Sequence, residues 1–463
     1  MQSKHKRALV WLRRDLRCFD NRAWSEAESL AEEIAIAFVF DTCILNQLKK
    51  DDRRITFIHK SLEELNSKLR EKNSSLYVRV GDPTIEIPNL MKELKADALF
   101  LNRDYEAYAQ KRDQNVKNTL EEKGYDFYSF KDHVIFEAEE VKNKSGNFFK
   151  VFTPYSKAWR AQLNSNSFSE AKVKLTKLIP AQNKFPNLEK LGFCPQSLYV
   201  EAGRKGAAEQ FKAFKKKIPN YKEQRDFPAL SATSQLSVHL RFGTLNIREL
   251  FRHSLNKDAG TFIWHNELIW REFYQMLLSS FPQLPEKCFQ SKCDSIKWPG
   301  SKEHFQLWCE GQSGYPIIDA SMRHFKKTGW MHNRLRMVVA SFLTKDLLCH
   351  WKWGEAYFAE NLLDFELASN NGGWQWAASV GCDAQPYFRI FNPTLQSERF
   401  DPEGTFIRQE LPELKALPNK FIHAPIKAKK SDLKNWGVEL GKNYPLPIVE
   451  HATQKEKAIK LFK

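Results

Sequence analysis

The second half of the chain places charged and amide side chains inside or beside strongly apolar helical segments. Burying such groups costs free energy unless they are paired or bind a polar ligand. Nine of the thirteen tryptophans lie in the same region, between Trp264 and Trp376. A large aromatic core would explain the tryptophans alone, but their polar neighbours favour a pocket with aromatic walls. These neighbours are Glu267, Arg271, Asn333, Arg334, Arg336, Asp364, Asn370 and Asn371.

The segment from Met331 to Leu348 sharpens this prediction. Its later part, MVVASFL, is apolar almost all round, which predicts a buried helix. Asn333, Arg336 and Met337 share one face of its first two turns. Because a helix N-terminus already carries partial positive charge, two arginines there favour a nearby anion. Asp364 is the best carboxylate candidate, and both a purely structural Arg–Asp pair and an anionic cofactor remain open.

Other chemistry signals are weaker. The stretch TSQLSVHLRFG (233–243) carries Thr233, Ser234 and Ser237 at a predicted helix start, where hydroxyl and backbone N–H groups bind phosphate or simply cap the helix. The eight cysteines contain no CxxC pair, and no HExxH spacing occurs. We therefore expect reduced cysteines and no metal site.

The elements that must hold these residues divide the chain into two fold classes. Over residues 1–130, strand-like runs alternate with helical stretches, which predicts an α/β domain with a doubly wound, Rossmann-like parallel sheet. The strand-like runs are ALVWLRR (8–14), IAIAFVFD (34–41), SLYVRVGD (75–82), DALFLNRD (97–104) and YDFYSFKD (125–132). Residues 131–200, rich in Asn, Lys, Pro and Gly, are interpreted as a linker. Helical periodicity then dominates residues 201–463, which predicts an all-α domain.

Charge is distributed unequally over these regions. Residues 1–130 carry 23 Lys and Arg against 22 Asp and Glu, whereas the remainder carries 49 against 34. A strongly basic second part favours a polyanionic partner such as nucleic acid. No apolar run approaches the roughly 20 residues of a membrane span, and the N-terminus lacks a signal-peptide pattern. We expect a cytoplasmic protein.

Five motifs, in order along the chain, carry a family resemblance. RRDLRCFDN, TSQLSVHLRFG, NELIWREFY, TGWMHNRLRMVVASFLTKDLL and NNGGWQWAAS resemble the photolyase/cryptochrome flavoproteins, and most closely the microbial class I cyclobutane pyrimidine dimer DNA photolyases. The resemblance covers essentially the whole chain. It implies light-driven repair of these dimers by electron transfer from excited reduced FAD, and it makes the all-α region the FAD-binding and DNA-binding domain.

The resemblance also implies roles for individual residues. Arg336 and Asp364 resemble an ion pair over the flavin ring, and Asn370 resembles the amide that faces flavin N5. Glu366 stands where the family usually has Asp, and its extra methylene keeps the charge but shifts the reach of its hydrogen bonds. The implied FAD contacts are Tyr221, Thr233, Ser234, Gln235, Leu236, Ser237, Trp270, Arg271, Asn333, Arg336, Asp364, Glu366 and Asn370.

The implied substrate is a dimer flipped out of DNA, preferably double-stranded, which a monomeric enzyme binds. Trp270 and Trp376 resemble its flat walls. The other implied dimer contacts are Glu267, Asn333, Arg334 and Met337. Trp298, Trp351 and Trp374 resemble the chain that carries electrons to photoexcited oxidised flavin during photoactivation.

An antenna pigment, a folate or a deazaflavin, usually accompanies the N-terminal domain of this family. Asn102 and Glu106 resemble part of a folate-contacting segment, but QLPEKCF (283–289) departs from the expected pattern. The identity of an antenna, and whether there is one, stay open.

Two other functions are alternatives: a cryptochrome-type photoreceptor, against which Asn370 argues, and (6-4) photoproduct repair, against which Asn333 after His332 argues.

Overall fold

The structure, a computed structural model, describes residues 4–255 and 258–463. Its backbone divides into two compact units. The first comprises Met1–Phe149, Thr153–Lys216 and Ser234–Pro282, and the second comprises Lys150–Phe152, Lys217–Thr233 and Gln283–Lys463. The domain boundaries at residues 130 and 200 are a different division of the chain and stay a prediction.

A five-stranded parallel sheet forms the centre of the first unit, as the sequence predicted. Its strands are β1 (His5–Leu12), β2 (Ala31–Asp41), β3 (Tyr77–Gly81), β4 (Ala98–Asn102) and β5 (Asp126–Phe130). They follow the order β3-β2-β1-β4-β5, so the direction in which the chain adds successive strands reverses between β1 and β4. Val10 pairs with Ile36 on one side and Phe100 on the other, and all three are buried. Burial on both faces is why the apolar runs of these three central strands are continuous, whereas the edge strands β3 and β5 are only partly buried.

Helices account for most of the remaining described residues. In chain order they are α1 (Arg22–Leu30), α2 (Thr42–Leu45), α3 (Arg53–Arg70), α4 (Pro83–Leu94), α5 (Ala107–Glu122), α6 (Phe152–Gln162), α7 (Gly203–Lys215), α8 (Tyr221–Gln224), α9 (Ser237–Phe242), α10 (Ile247–Arg252), α11 (Ala259–Ser280), α12 (Lys302–Glu310), α13 (Pro316–Thr328), α14 (Asn333–Ser341), α15 (Trp351–Asn361), α16 (Leu367–Ala378), α17 (Pro393–Phe400), α18 (Thr405–Glu410), α19 (Asn419–Ile422), α20 (Lys430–Asn435) and α21 (His451–Leu461). Short 3₁₀ segments cover Ala138–Glu140, Ser165–Phe168, Glu189–Leu191, Ile218–Asn220, Ser291–Ser295, Pro412–Leu414 and Pro425–Lys427.

The second unit is helical and has its own apolar core. Large side chains such as Trp308, Trp351 and Phe358 lie at its centre, packed among residues of α12–α16. After α14 the chain continues as a π-helical turn, Phe342–Asp346, instead of a regular α-helix. Such π turns often mark functional positions. None of the helices in the described ranges is both long and apolar enough to span a membrane.

Two local predictions differ from the structure. The segment expected to be an irregular linker contains the helix α6. The amides and glycines of the NNGG stretch (370–373) predict a turn before Trp374, but the stretch lies inside α16, which begins at Leu367. Helical backbone is possible there because neither amide side chain bonds its own backbone: Asn370 and Asn371 donate to groups on other elements.

Candidate functional site

The arginine–aspartate pair predicted from the sequence forms in the second unit. The α14 helix starts at Asn333, and Nδ1 of the N-cap His332 accepts the Arg334 backbone N–H at 3.2 Å. One turn later, Arg336 Nη2 donates to Asp364 Oδ2 at 2.8 Å and to Oδ1 at 3.1 Å. Asp364 is 3% exposed and Arg336 is 28% exposed. The carboxylate is therefore buried and compensated, while the guanidinium reaches the surface.

A second carboxylate, which sequence reasoning missed, faces the other arginine. Arg334 Nη2 lies 2.9 Å from Asp226 Oδ1, and its guanidinium lies 4.4 Å from the Phe400 ring centroid. Asp226 follows α8, more than a hundred residues before α14, and nothing in its local sequence links it to Arg334. Each arginine at this helix start thus has its own counter-ion, so the predicted anion is supplied by the protein.

Arg336 and Asn370 keep hydrogen-bonding groups open. Arg336 uses Nε for the Met331 carbonyl, at 2.8 Å, and Nη2 for Asp364, while Nη1 makes no hydrogen bond with any described residue. Asn370 donates through Nδ2 to the Glu355 carbonyl at 3.1 Å, and its Oδ1 accepts no hydrogen bond within the described part of the chain. Neither atom is a buried orphan. An open donor and an open acceptor fit a ligand ring that presents both kinds of group, as flavin does.

The neighbours of Asn370 hold α16 in place. Asn371 donates to Glu355 Oε1 at 2.9 Å and to the Leu284 carbonyl at 3.1 Å, and Gln375 donates to the Leu284 carbonyl at 3.2 Å. Glu366 is the N-cap residue of α16 and accepts from the Ser369 hydroxyl at 3.0 Å. Asn371, singled out with the pocket residues, therefore has a structural role, and Asn370 is the amide left for a ligand.

The accessible face of α14 is polar, as its pattern predicted. Leu335, Val338 and Val339 are buried, whereas Met337 is half-buried and Asn333 is exposed. Burial lowers the pKa of His332 to about 4, so this N-cap imidazole is neutral at neutral pH. The positive charge at this helix start therefore comes from the two arginines.

The three tryptophans of the predicted electron path all lie in the second unit. Trp374 packs against Trp308 with ring centroids 6.1 Å apart, and a Cβ on Gly354 would stand 2.1 Å from the Trp374 ring. Trp351 is completely buried, and its N–H forms no hydrogen bond within the described ranges. Trp298 and Trp376 are half-buried. The path thus runs from buried to partly exposed indoles.

The long helix α11 of the first unit carries three of the predicted contacts. Glu267, Trp270 and Arg271 are half-buried on it, and Arg271 donates to the His133 carbonyl at 2.8 Å. The adjacent Glu272 is buried and accepts from Trp159 Nε1 at 2.7 Å and from the Phe136 N–H at 3.2 Å. Burial raises the pKa of Glu272 to about 7, although these donors act in the opposite direction. The same hydrogen bonds fix the orientation of α11 within its unit.

The predicted phosphate contacts lie just before α9. Ser237 begins this helix, and the N-cap is Leu236, so no side-chain hydroxyl caps it. Gln235 has a left-handed backbone with φ of 53°, which is rare for a residue with a Cβ and recurs at ligand-binding sites. Its side chain donates to the Tyr199 hydroxyl at 3.1 Å. Thr233 and the buried Tyr221, at the start of α8, belong to the second unit.

The two predicted antenna residues already have partners. Asn102 is buried at the end of β4, and its amide donates to Asp15 Oδ2 at 2.7 Å and Asn21 Oδ1 at 2.8 Å while its oxygen accepts the Ala23 N–H. Glu106 lies 3.1 Å from Arg14 Nη1. The structure therefore explains both side chains without an antenna, and the antenna contact stays a prediction.

Comparison with known proteins extends over the whole chain. Residues 8–176 match the family model described as DNA photolyase, and residues 264–463 match the model described as the FAD binding domain of DNA photolyase. The second model covers α14, α16 and most of α11. These helices carry the candidate site residues Glu267, Trp270, Arg271, Asn333, Arg334, Arg336, Met337, Asn370, Trp374 and Trp376.

Individual proteins match at full length. A deoxyribodipyrimidine photo-lyase from Vibrio cholerae is 38% identical, covering 98% of this chain and 99% of the relative. A crystal structure of a bacterial class III photolyase from Agrobacterium tumefaciens superposes with a TM-score of 0.92 at 34% identity, covering 100% of this chain and 98% of that one. An archaeal photolyase from Sulfolobus tokodaii with two FAD molecules gives a TM-score of 0.84 at 31% identity, covering 98% and 99%.

Proposed function

Because the chain belongs to the DNA photolyase family, we propose that it is a deoxyribodipyrimidine photo-lyase, which repairs cyclobutane pyrimidine dimers in DNA with light. The observation that carries this proposal is that the Arg336–Asp364 pair leaves a donor open and the amide of Asn370 leaves an acceptor open. Arg336 Nη1 and Asn370 Oδ1 are thus available to a ligand.

FAD is the cofactor that these residues fit. Arg336 donates to acceptor atoms of the flavin, and its bidentate contact with Asp364 keeps the guanidinium plane fixed. Asn370 offers its carbonyl oxygen to a flavin N–H. The remaining proposed FAD contacts are Tyr221, Thr233, Ser234, Gln235, Leu236, Ser237, Trp270, Arg271, Asn333 and Glu366.

When it is bound, reduced FAD supplies the chemistry by giving one electron to the dimer after light absorption and receiving it back after the ring bonds break. The chain contributes geometry and electrostatics. Trp270 and Trp376 give flat apolar walls to a dimer that has left the base stack. Glu267 hydrogen-bonds the pyrimidine edges, and Asn333 and Met337 contact the dimer from the start of α14.

Damaged DNA is the partner, and its backbone meets basic residues. Lysine and arginine neutralise phosphates and release counter-ions, so we expect affinity that falls steeply with salt. Arg334 is the proposed contact to the backbone at the lesion. We further propose that double-stranded DNA is preferred, that the protein acts as a monomer, and that a second, light-harvesting chromophore of folate or deazaflavin type is an accessory rather than a requirement.

Trp374, Trp351 and Trp298 are proposed to carry electrons during photoactivation. Their order follows exposure, because Trp374 and Trp351 are buried and Trp298 reaches the surface. A buried indole without a proton acceptor keeps its N–H when it is oxidised, so the positive charge moves on instead of being trapped. Trp298 can release its proton to water and end the chain.

The proposal is tested by illuminating purified, flavin-loaded protein with a duplex oligonucleotide that contains one thymine dimer. We expect conversion to normal thymines under blue light with reduced FAD and none in the dark. A variant Glu267→Ala is expected to lower repair at least tenfold while keeping most of the FAD, and the exposed control Glu122→Ala should change neither. Flavin-loaded protein that leaves the dimer intact in the light would contradict the proposed function.

A further inference from the structure

A histidine ring lies in contact with two of the tryptophans of the proposed electron path. The centroid of the His350 imidazole is 5.8 Å from the Trp298 ring and 6.0 Å from the Trp351 ring, and its plane is inclined by 25° to Trp351. Trp298 and Trp351 make no ring contact with each other in the part of the chain that the structure describes. His350 is therefore the aromatic side chain that both indoles share.

The position of this imidazole is fixed by the start of α15. His350 is the N-cap residue, and its Nδ1 accepts the Lys352 backbone N–H at 3.1 Å. Because Nδ1 is an acceptor, the neutral ring carries its proton on Nε2. Burial and the positive charge of Lys352 lower the pKa of His350, and no other charged group acts on the ring among the described residues. The ring is therefore uncharged at neutral pH.

The two indoles on either side of His350 differ in how they hold a proton. Trp351 is completely buried, and its N–H faces the Cys288 thiol, a weak acceptor with which it forms no hydrogen bond of normal geometry. Burial raises the pKa of Cys288 to about 12, so this thiol is not a thiolate that could take the proton. Trp298 is half-buried and close to water. Oxidised Trp351 keeps its proton, and oxidised Trp298 loses it.

We infer that His350 is the bridging ring for the step in which Trp298 reduces oxidised Trp351. This inference rests on the proposed function, in which light-excited oxidised flavin is the oxidant at the far end of the path. Trp298 gives one electron to the Trp351 radical cation, which returns to a neutral indole. The Trp298 radical cation then loses its Nε1 proton to water. The neutral His350 ring contacts both indoles, so the electron passes through a side chain instead of across a gap between the two tryptophans. Because the ring is uncharged, it does not repel either radical cation.

Two variants separate bridging from helix capping. His350→Asn keeps an N-cap side chain and removes the ring, whereas His350→Phe keeps a ring and removes the cap. In flash photolysis of the flavin-loaded chain, we expect the yield of the long-lived tryptophan radical to fall at least tenfold in His350→Asn and less than twofold in His350→Phe. A capping role alone predicts the opposite order. Either that order or equal yields in both variants would overturn the inference.

A second measurement needs no flavin. Protonated imidazole quenches the fluorescence of a contacting indole, so the tryptophan fluorescence of the full chain should drop when the pH falls through the lowered pKa of His350. We expect this drop to be smaller in both variants and in Trp298→Phe, while the contacts of Trp264 with His265 and of Trp330 with His324 and His332 maintain the remainder. If the drop is unchanged in both variants, the inference is overturned, whether or not the chain binds flavin. Failure to bind flavin would be a separate result, and it would contradict the proposed function. Repair in the light with an unaltered radical yield in His350→Asn overturns the inference alone.

Discussion

Each unit contains a group of paired arginines and aspartates, and the two groups differ in role. One is a buried structural cluster, and the other is the pair proposed to bind the cofactor. The closed cluster of the first unit consists of Arg17, Asp20, Asp132, Arg248 and Arg252. Arg248 Nη2 lies 2.7 Å from both Asp132 Oδ1 and Asp20 Oδ1, and Arg17 pairs with Asp132 while Nη1 donates to the Gly243 carbonyl. The open pair of the second unit is Arg336 with Asp364.

The difference between the two groups lies in burial and in shared carboxylates rather than in charge. In the closed cluster both aspartates are completely buried and each is shared between two arginines, although Arg17 Nε, Arg248 Nη1 and Arg252 Nε form no hydrogen bond with a described residue. In the open pair Arg336 meets one carboxylate, and its side chain is 28% exposed. Although burial opposes ionisation, Arg17 and Arg248 hold the pKa of Asp132 well below its usual value. A buried cluster of this kind joins distant segments, whereas a partly exposed pair can bind something else.

The largest effect is expected from opening the closed cluster. Asp132→Ala leaves Arg17 and Arg248 buried without a full set of counter-charges, so we expect the free energy of unfolding to fall by about 3–5 kcal/mol. Urea unfolding followed by circular dichroism measures this. The control Glu93→Ala breaks the exposed pair with Arg79 and should cost no more than about 1 kcal/mol. Similar small losses in both variants would mean that the cluster is not a structural tie.

The open pair should respond in cofactor binding more than in stability. Asp364→Asn removes the charge that orients Arg336, but water can solvate the freed guanidinium. We expect FAD affinity to fall at least tenfold, roughly 1.4 kcal/mol, with a loss of stability of only about 1 kcal/mol. Flavin absorbance after gel filtration measures the bound cofactor.

The Arg323–Glu413 pair is a matched control for this variant, because it joins half-buried side chains in the same unit at 2.6 Å. Glu413→Gln should cost similar stability and leave FAD content unchanged. Equal loss of FAD in both variants would show that cofactor binding reports general stability rather than the open pair.

A third basic side chain in the second unit, Lys345, has no carboxylate partner among the residues that the structure describes. Lys345, in the π turn, is completely buried, donates to the Ala378 carbonyl at 3.1 Å and lies 3.6 Å from the Phe462 ring centroid. Burial lowers its pKa to about 7. Between pH 7 and 10 the unfolded chain therefore binds a proton that the folded protein does not, and stability should rise with pH by at most about 1.4 kcal/mol per unit.

Unfolding titrations at several pH values test this slope. Lys345→Met should flatten it between pH 7 and 10, because the side chain no longer titrates in the unfolded state. The exposed control Lys415→Met should leave it unaltered. A slope that survives in Lys345→Met would assign the pH dependence to other groups.

The smallest effect is expected at Arg334, whose charge Asp226 already offsets. Arg334→Gln should weaken dimer-containing DNA binding only a few-fold and reduce the salt dependence by about one ion, with FAD content unchanged. Asp226→Asn should instead strengthen the binding of dimer-containing DNA, because it frees the Arg334 guanidinium for phosphate. Fluorescence anisotropy over a salt series measures both. Identical directions in the two variants would exclude Arg334 as a backbone contact.

Local pattern accounts for the parts of the fold that were predicted correctly. The apolar runs of the first 130 residues became the five parallel strands, and one of the helical stretches between them became α3, whose buried side includes Phe57, Leu62, Leu65 and Leu69. Periodicity is local, so a short window suffices to detect it. The prediction of a turn at NNGG was wrong for the same reason, because the helical conformation of this stretch depends on the distant acceptors Glu355 and Leu284.

The sequence by itself determined the two fold classes, the family and the pairing of Arg336 with Asp364. Only the tertiary structure decided that Asp226 faces Arg334, that Nη1 of Arg336 stays open, and that His350 contacts both Trp298 and Trp351. The contacts of Asp226 with Arg334 and of Trp298 with His350 join residues that are 108 and 52 positions apart. Whether a polar atom is satisfied depends on every neighbour in space, and no window of sequence contains those neighbours.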